Sequence, residues 1–119
     1  MLGDISRADE IYIATGYTDL RKGIDGLAAY VKQAFGMDPM SNTLFLFCGK
    51  RSDRFKGLYW EGNGFLLLYK RLEGGGKFQW PRNTNEAKKL TWQQFRWLTE
   101  GLKVEQKTAL KTVTKNKVI

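Results

Sequence analysis

Two apolar runs, FKGLYW (Phe55–Trp60) and FLLLYKRL (Phe65–Leu72), flank Glu61-Gly62-Asn63-Gly64. Gly62-Asn63 or Asn63-Gly64 suits a two-residue hairpin loop, because such loops need positive φ, which glycine and asparagine adopt readily. Both runs are rich in residues that fit a pleated surface. The spacing therefore predicts an antiparallel hairpin. A lone hairpin is at best marginally stable in water, so the rest of the chain must add strands and cover a face.

Those additions are readable on either side. EIYIATG (Glu10–Gly16) reads as a strand ended by glycine, and TLFLFCG (Thr43–Gly49) as a strand apolar on both faces. Between them, Thr18–Gly36 reads as a helix capped by Thr18 or Asp19. Leu20, Ile24, Leu27, Ala28, Val31 and Phe35 form its apolar stripe, Gly36 stands at the C′ position, and Pro39 blocks continuation. Gly23 and Gly26 each cost a helix about 1 kcal/mol against alanine, so they are read as places where another backbone packs closely. After EGGGK, a turn, FQWP (Phe78–Pro81) is expected to add a short edge strand closed by its proline. RNTNEAKK (Arg82–Lys89) reads as a polar connector. LTWQQFRWLTEG then shows a capping box, Thr91 with Gln94, a hydrophobic staple, Leu90 with Phe95, and a stop at Gly101. The predicted fold class is α+β: an antiparallel β-meander with one long helix packed on it and a shorter C-terminal helix. One domain is expected over residues 1–102. Residues 103–119 form a basic tail, possessing Lys103, Lys107, Lys111 and Lys115 four apart; it is read as a frayed arm, a helix formed on a partner, or a solvated segment.

The chain has 119 residues and is 42% hydrophobic, enough for a single core. It has no histidine, which removes Ser-His-Asp and Cys-His catalysis and histidine zinc sites. Its one cysteine, Cys48, cannot form an internal disulfide and reads as a small core residue. Metal-dependent phosphoryl chemistry would fall to Asp19, Asp25, Asp53 and Glu61, but their spacing marks no triad. Asp19 serves equally as a helix cap and Asp53 as an arginine partner. The chain is therefore expected to be no enzyme and to use no metal or cofactor. No run is long enough to span a bilayer, and the first residues lack a secretory pattern, so a cytoplasmic location without membrane contact is expected.

Charge points to a partner. Twenty Lys and Arg oppose twelve Asp and Glu, a net +8, which favours a polyanion. Lys50, Arg51, Arg54 and Lys56 precede or enter the first hairpin strand, and Lys70 and Arg71 end the second. An antiparallel return brings the two clusters together. Arg21 and Lys22 are candidates to extend the patch, and Tyr59 or Trp60 to stack on a splayed base. This DNA-binding set requires Arg54 and Arg71 to share one surface and not both to be neutralised by the chain's own carboxylates. The alternative is that the cations are a solvated rim and the aromatics are core.

Three segments, GYTDLRKGIDGLAAYV, LFLFCGKRSDRFKGLYWEGNGFLLLYKRLEGGGKFQWP and LTWQQFRWLTEGL, together carry a resemblance. The chain resembles the TnpB accessory proteins encoded by the second reading frame of bacterial insertion sequences of the IS sixty-six family. These are not the RNA-guided nucleases of the same name. The likeness runs roughly from Ile11 to Leu102, most of the chain. It implies a transposition accessory role beside a separate, larger transposase that carries the carboxylate chemistry. Two departures stand out: CGKR replaces a run that is often arginine-rich, and the lysine tail lies outside the family pattern. The expected function is DNA binding at element ends through the cationic patch, assisting the transposase. The alternative is a protein adaptor that contacts the transposase, or another element-encoded accessory protein, without touching DNA; Trp80, Trp92 and Trp97 would be its anchors where exposed. Assembly into a homo-oligomer stays open.

Overall fold

The structure is a computed structural model, and it describes residues 4–83 and 85–106. Five strands form one sheet: β1 (Glu10–Ala14), β2 (Thr43–Phe47), β3 (Arg54–Trp60), β4 (Phe65–Arg71) and β5 (Ala87–Leu90), in the order β4-β3-β2-β1-β5. The hairpin forms as its turn chemistry dictates. Trp60 pairs with Phe65, the Glu61 N–H donates to the Gly64 carbonyl at 2.9 Å, and Gly62 takes φ 94°. β2, β3 and β4 make the expected antiparallel meander.

The α+β class holds, but the sheet is mixed. β1 runs parallel to β2, with helix α1 (Ile24–Phe35) in the connection, and β5 runs antiparallel to β1 at the far edge. A parallel return needs a crossover of a dozen or more residues, which the chain between β1 and β2 supplies. Every residue of β2 is buried, as expected of a central strand covered on both faces.

Four local expectations are corrected. FQWP is not a strand. Phe78 and Trp80 are instead buried against the sheet, with Phe55 edge-on to Phe78 at 5.1 Å and the Trp80 indole N–H donating to the Ala14 carbonyl at 2.8 Å. The edge strand comes from the connector, where Ala87–Leu90 pairs with β1 and its lysines suit an exposed edge. Helix α1 begins at Ile24, not Thr18, because Asp19 closes its own turn: its carboxylate accepts the Arg21 backbone N–H at 3.0 Å, and its carbonyl accepts that of Lys22 at 3.1 Å. Gly23 becomes the N-cap residue, without a side-chain cap. No second backbone approaches the two helix glycines; a Cβ on Gly23 would meet nothing within 4 Å, and one on Gly26 would meet the Lys22 side chain.

Two cores flank the sheet. On one face Leu27 and Val31 of α1 pack on Phe45, Phe47 and Leu58. On the other, Ile11, Ile13, Leu44, Leu46 and Phe55 meet Phe78, Trp80, Leu90, Leu98 and Val104. Leu98 belongs to α2 (Trp92–Thr99), which begins with the expected capping box, Thr91 and Gln94 exchanging bonds at 2.9 and 3.0 Å. It ends in a Schellman motif: Gly101 takes φ 86°, its N–H donates to the Leu98 carbonyl, and that of Leu102 to the Trp97 carbonyl at 2.8 Å. Packing continues past Leu102, since Val104 is buried and its carbonyl accepts a bond from Gln94. Lys107, Lys111 and Lys115 lie outside the described residues. Among those described, no helix is long and apolar enough to cross a membrane.

Candidate functional site

Side chains alternate across a strand, so β3 sends Arg54, Lys56 and Leu58 to the α1 face and Phe55 and Tyr59 to the α2 face. Register then places Arg71 opposite Arg54, Tyr69 opposite Lys56 and Leu67 opposite Leu58. Above this surface lie the loops that follow β1 and β2. The Thr18 N–H donates to the Cys48 carbonyl at 2.9 Å and ties the two loops together. Between loops and strands runs a groove of about 900 Å³. Leu20 and Leu67 give it apolar lining, Tyr17 and Tyr69 aromatic lining, and Arg21, Lys50, Arg51, Arg54 and Lys56 bring the charge. Set against Asp19 and the adjacent Asp53, those five cations leave a surplus of three positive charges.

The cations differ in freedom. Lys50 is exposed and, among the described residues, joins no ion pair. Arg51 is three-quarters exposed, with a loose 3.5 Å approach to Asp53. Arg21 is 91% exposed and lays its guanidinium along Asp19 at 2.8–3.2 Å. That fork holds the Asp19 carboxyl well below the usual carboxylate range. Lys56 donates to the Lys22 carbonyl at 3.0 Å and lies 5.9 Å from the centroid of the Tyr69 ring. Arg54 is the most fixed, its fork on Asp53 at 2.9 and 3.0 Å with both side chains at most a quarter exposed. The Arg54 guanidinium pulls the Asp53 carboxyl down to about 2 and is itself pushed up by that bond.

The expected patch is thus brought together in part. Arg54 and Arg71 do share a surface, but both are bound to the chain's own carboxylates, Arg71 through Glu73 at 2.9 Å, so the requirement set for the expected patch is not met, and Arg71 does not line the groove. The charge available to a ligand rests on Lys50, Arg51, Arg21 and Lys56 instead. Lys22 offers the groove only its carbonyl, through Lys56. Lys70 is on the other face, its ammonium 3.4 Å from the Thr99 carbonyl of α2. Adjacent residues of a strand point to opposite faces, so Lys70 and Arg71 could not both join one patch.

The two stacking candidates are also displaced. Tyr59 is buried, and its hydroxyl donates to the Asn42 side chain at 2.6 Å. Trp60 is half-buried edge-on to Phe65 at 4.9 Å, at the hairpin end of β3, about 20 Å along the strand from Arg54. The exposed rings at the groove are Tyr17 and Tyr69. Tyr69 was legible, since a strand position two before Arg71 shares its face; Tyr17 sits in a loop and left no pattern.

Arg82, placed by sequence in a polar connector, holds the loops in position. Its guanidinium donates to the carbonyls of Gly16, at 2.9 Å, and Gly49, reaches the Ser52 hydroxyl at 3.3 Å, and lies 4.4 Å from the Tyr17 ring centroid. The Cys48 thiol is buried beneath it, and burial pushes that thiol up. Trp80, the first adaptor anchor, is buried, and Trp92 and Trp97 are half-buried. The candidate carboxylates stay apart: among the described residues, no three His, Cys, Asp or Glu side chains gather into a group able to hold a metal ion.

A family model described as IS66 Orf2 like protein matches residues 9–109. The chain is similar to two proteins of Sinorhizobium fredii (strain NBRC 101917 / NGR234), both described as uncharacterized. One, y4jC, is 39% identical over 97 residues, covering 82% of each chain. The other, y4hO, is 34% identical over 92 residues, covering 77% of this chain and 79% of the relative. No solved structure matches the chain.

Proposed function

The chain belongs to the family of IS66 Orf2-like proteins, and on that premise we propose that it binds DNA in the groove and so helps a separate transposase assemble on the ends of the element. The observation that carries this reading is the convergence of Arg21, Lys50, Arg51 and Lys56 from three chain segments onto one groove. Phosphates brought there release counterions, so the affinity is electrostatic in origin and falls steeply with salt. The carboxylates already present do not cancel the effect. Exposed ion pairs such as Arg21–Asp19 are weak, and a phosphate competes with them.

The test is DNA affinity across a salt series, with and without transposase. A log–log slope of about −3 is expected, about 0.7 to 0.9 for each of the phosphates neutralised by the four cations. Lys50→Ala with Arg51→Ala should flatten it by about two units, whereas Lys70→Ala, on the opposite face, should leave it unchanged. Weak, salt-insensitive DNA binding together with co-purification of the transposase would replace this reading with the adaptor. The sheet's second face is covered by α2 and the Phe78–Trp80 segment, so an adaptor would have to use another surface.

A further inference from the structure

We infer that the groove receives an unpaired DNA strand and not a duplex. This rests on the DNA reading above and goes beyond it by naming the form of DNA. The first support is the aromatic lining. Tyr17 and Tyr69 are 57% and 53% exposed, and each carries a cation near its ring, Arg82 at 4.4 Å and Lys56 at 5.9 Å from the centroid. A cation over one face of a ring leaves the opposite face for a base. A duplex covers its base faces with neighbouring bases, whereas an unpaired strand offers each face to an aromatic side chain.

The second support is the rest of the lining. Leu20 and Leu67 sit inside the groove, and the exposed charges of Arg21, Lys50 and Arg51 belong to its loop side. A strand laid along it can turn its bases to the leucines and tyrosines and its phosphates to the cations. A duplex presents phosphates outward on every side and would set charged oxygens against apolar lining, which costs their hydration. The third is size. About 900 Å³ is the scale of a small-ligand site, with room for roughly two or three nucleotides of one strand.

The test compares a fluorescein-labelled oligo-thymidine with a blunt duplex of equal length at one salt concentration. The strand is expected to bind more tightly. Tyr17→Ala with Tyr69→Ala should weaken strand binding roughly tenfold or more and change duplex binding less than twofold. Tyr17→Phe with Tyr69→Phe, which keeps both rings, should restore it. A 2-aminopurine in the strand should lose fluorescence on binding the unmodified protein and retain more of it with the alanine pair. Equal or tighter duplex binding, or an equal loss on both ligands in the alanine pair, overturns the inference and leaves the DNA reading standing. Failure to bind either ligand overturns both.

Discussion

Arg54 on β3 and Arg71 on β4 are direct cross-strand partners, and each is held by a carboxylate near it in sequence, Asp53 and Glu73. Like charges directly opposed in a sheet repel. The two carboxylates relieve that repulsion at the place where the hairpin strands end. The fork on Asp53 ties up the less exposed Arg54, and Arg71 does not line the groove, so the groove's available charge rests on Arg21, Lys50 and Arg51 of the loops and Lys56 of β3.

Asp53 should make the fold acid-sensitive. Its folded carboxyl lies at about 2, against an ordinary 3.8. A depressed folded value means that the contribution is whole above 3.8 and is lost as pH falls through about 2. Urea midpoints measured across that window should fall more steeply for the unmodified chain than for Asp53→Asn, which has already lost the pair at neutral pH. Parallel acid slopes for the two proteins would assign the sensitivity to other carboxylates.

Arg82 should be needed for the groove although it does not line it. Arg82→Ala removes donors from the Gly16 and Gly49 carbonyls and is expected to cost about 2–3 kcal/mol in urea unfolding. Arg82→Lys should recover little of this, because a single ammonium cannot span acceptors that a planar fork reaches together. DNA affinity should fall in both variants even at temperatures where they are fully folded. Unchanged affinity in a folded Arg82→Ala protein would show that the loops hold their places without it.

Tyr59 should matter for stability alone. Tyr59→Phe loses the hydroxyl bond to Asn42 and is expected to destabilise by about 1 kcal/mol. Its affinity for an unpaired strand should match that of the unmodified protein, in contrast to the alanine variant of Tyr17 and Tyr69. A drop in strand affinity would mean that the Tyr59 hydroxyl or its Asn42 contact takes part in binding.

Features set by near neighbours along the chain are legible in the amino-acid order alone. The hairpin turn, the capping box of Thr91 and Gln94, and the glycine stops at Gly36 and Gly101 depend on backbone preferences within a few residues. So do the apolar alternation of the strands and the stripe from Ile24 to Phe35. Lys70 was misplaced for a related reason: clustering along a sequence says nothing of side, and a strand separates adjacent residues onto opposite faces.

The amino-acid sequence by itself determined four of the five strands, the presence of both helices, where most of these stop, and that the protein carries a large positive charge without histidine chemistry. Only the tertiary structure decided that β1 lies parallel to β2, that a lysine-bearing connector becomes the edge strand, and that Arg82 reaches Gly16 and Gly49. These choices join groups far apart along the chain, where hydrogen-bond complementarity and burial select the partner and no local periodicity records it. The groove is such a product: its cations were visible one by one, but the fold selected which of them face one another.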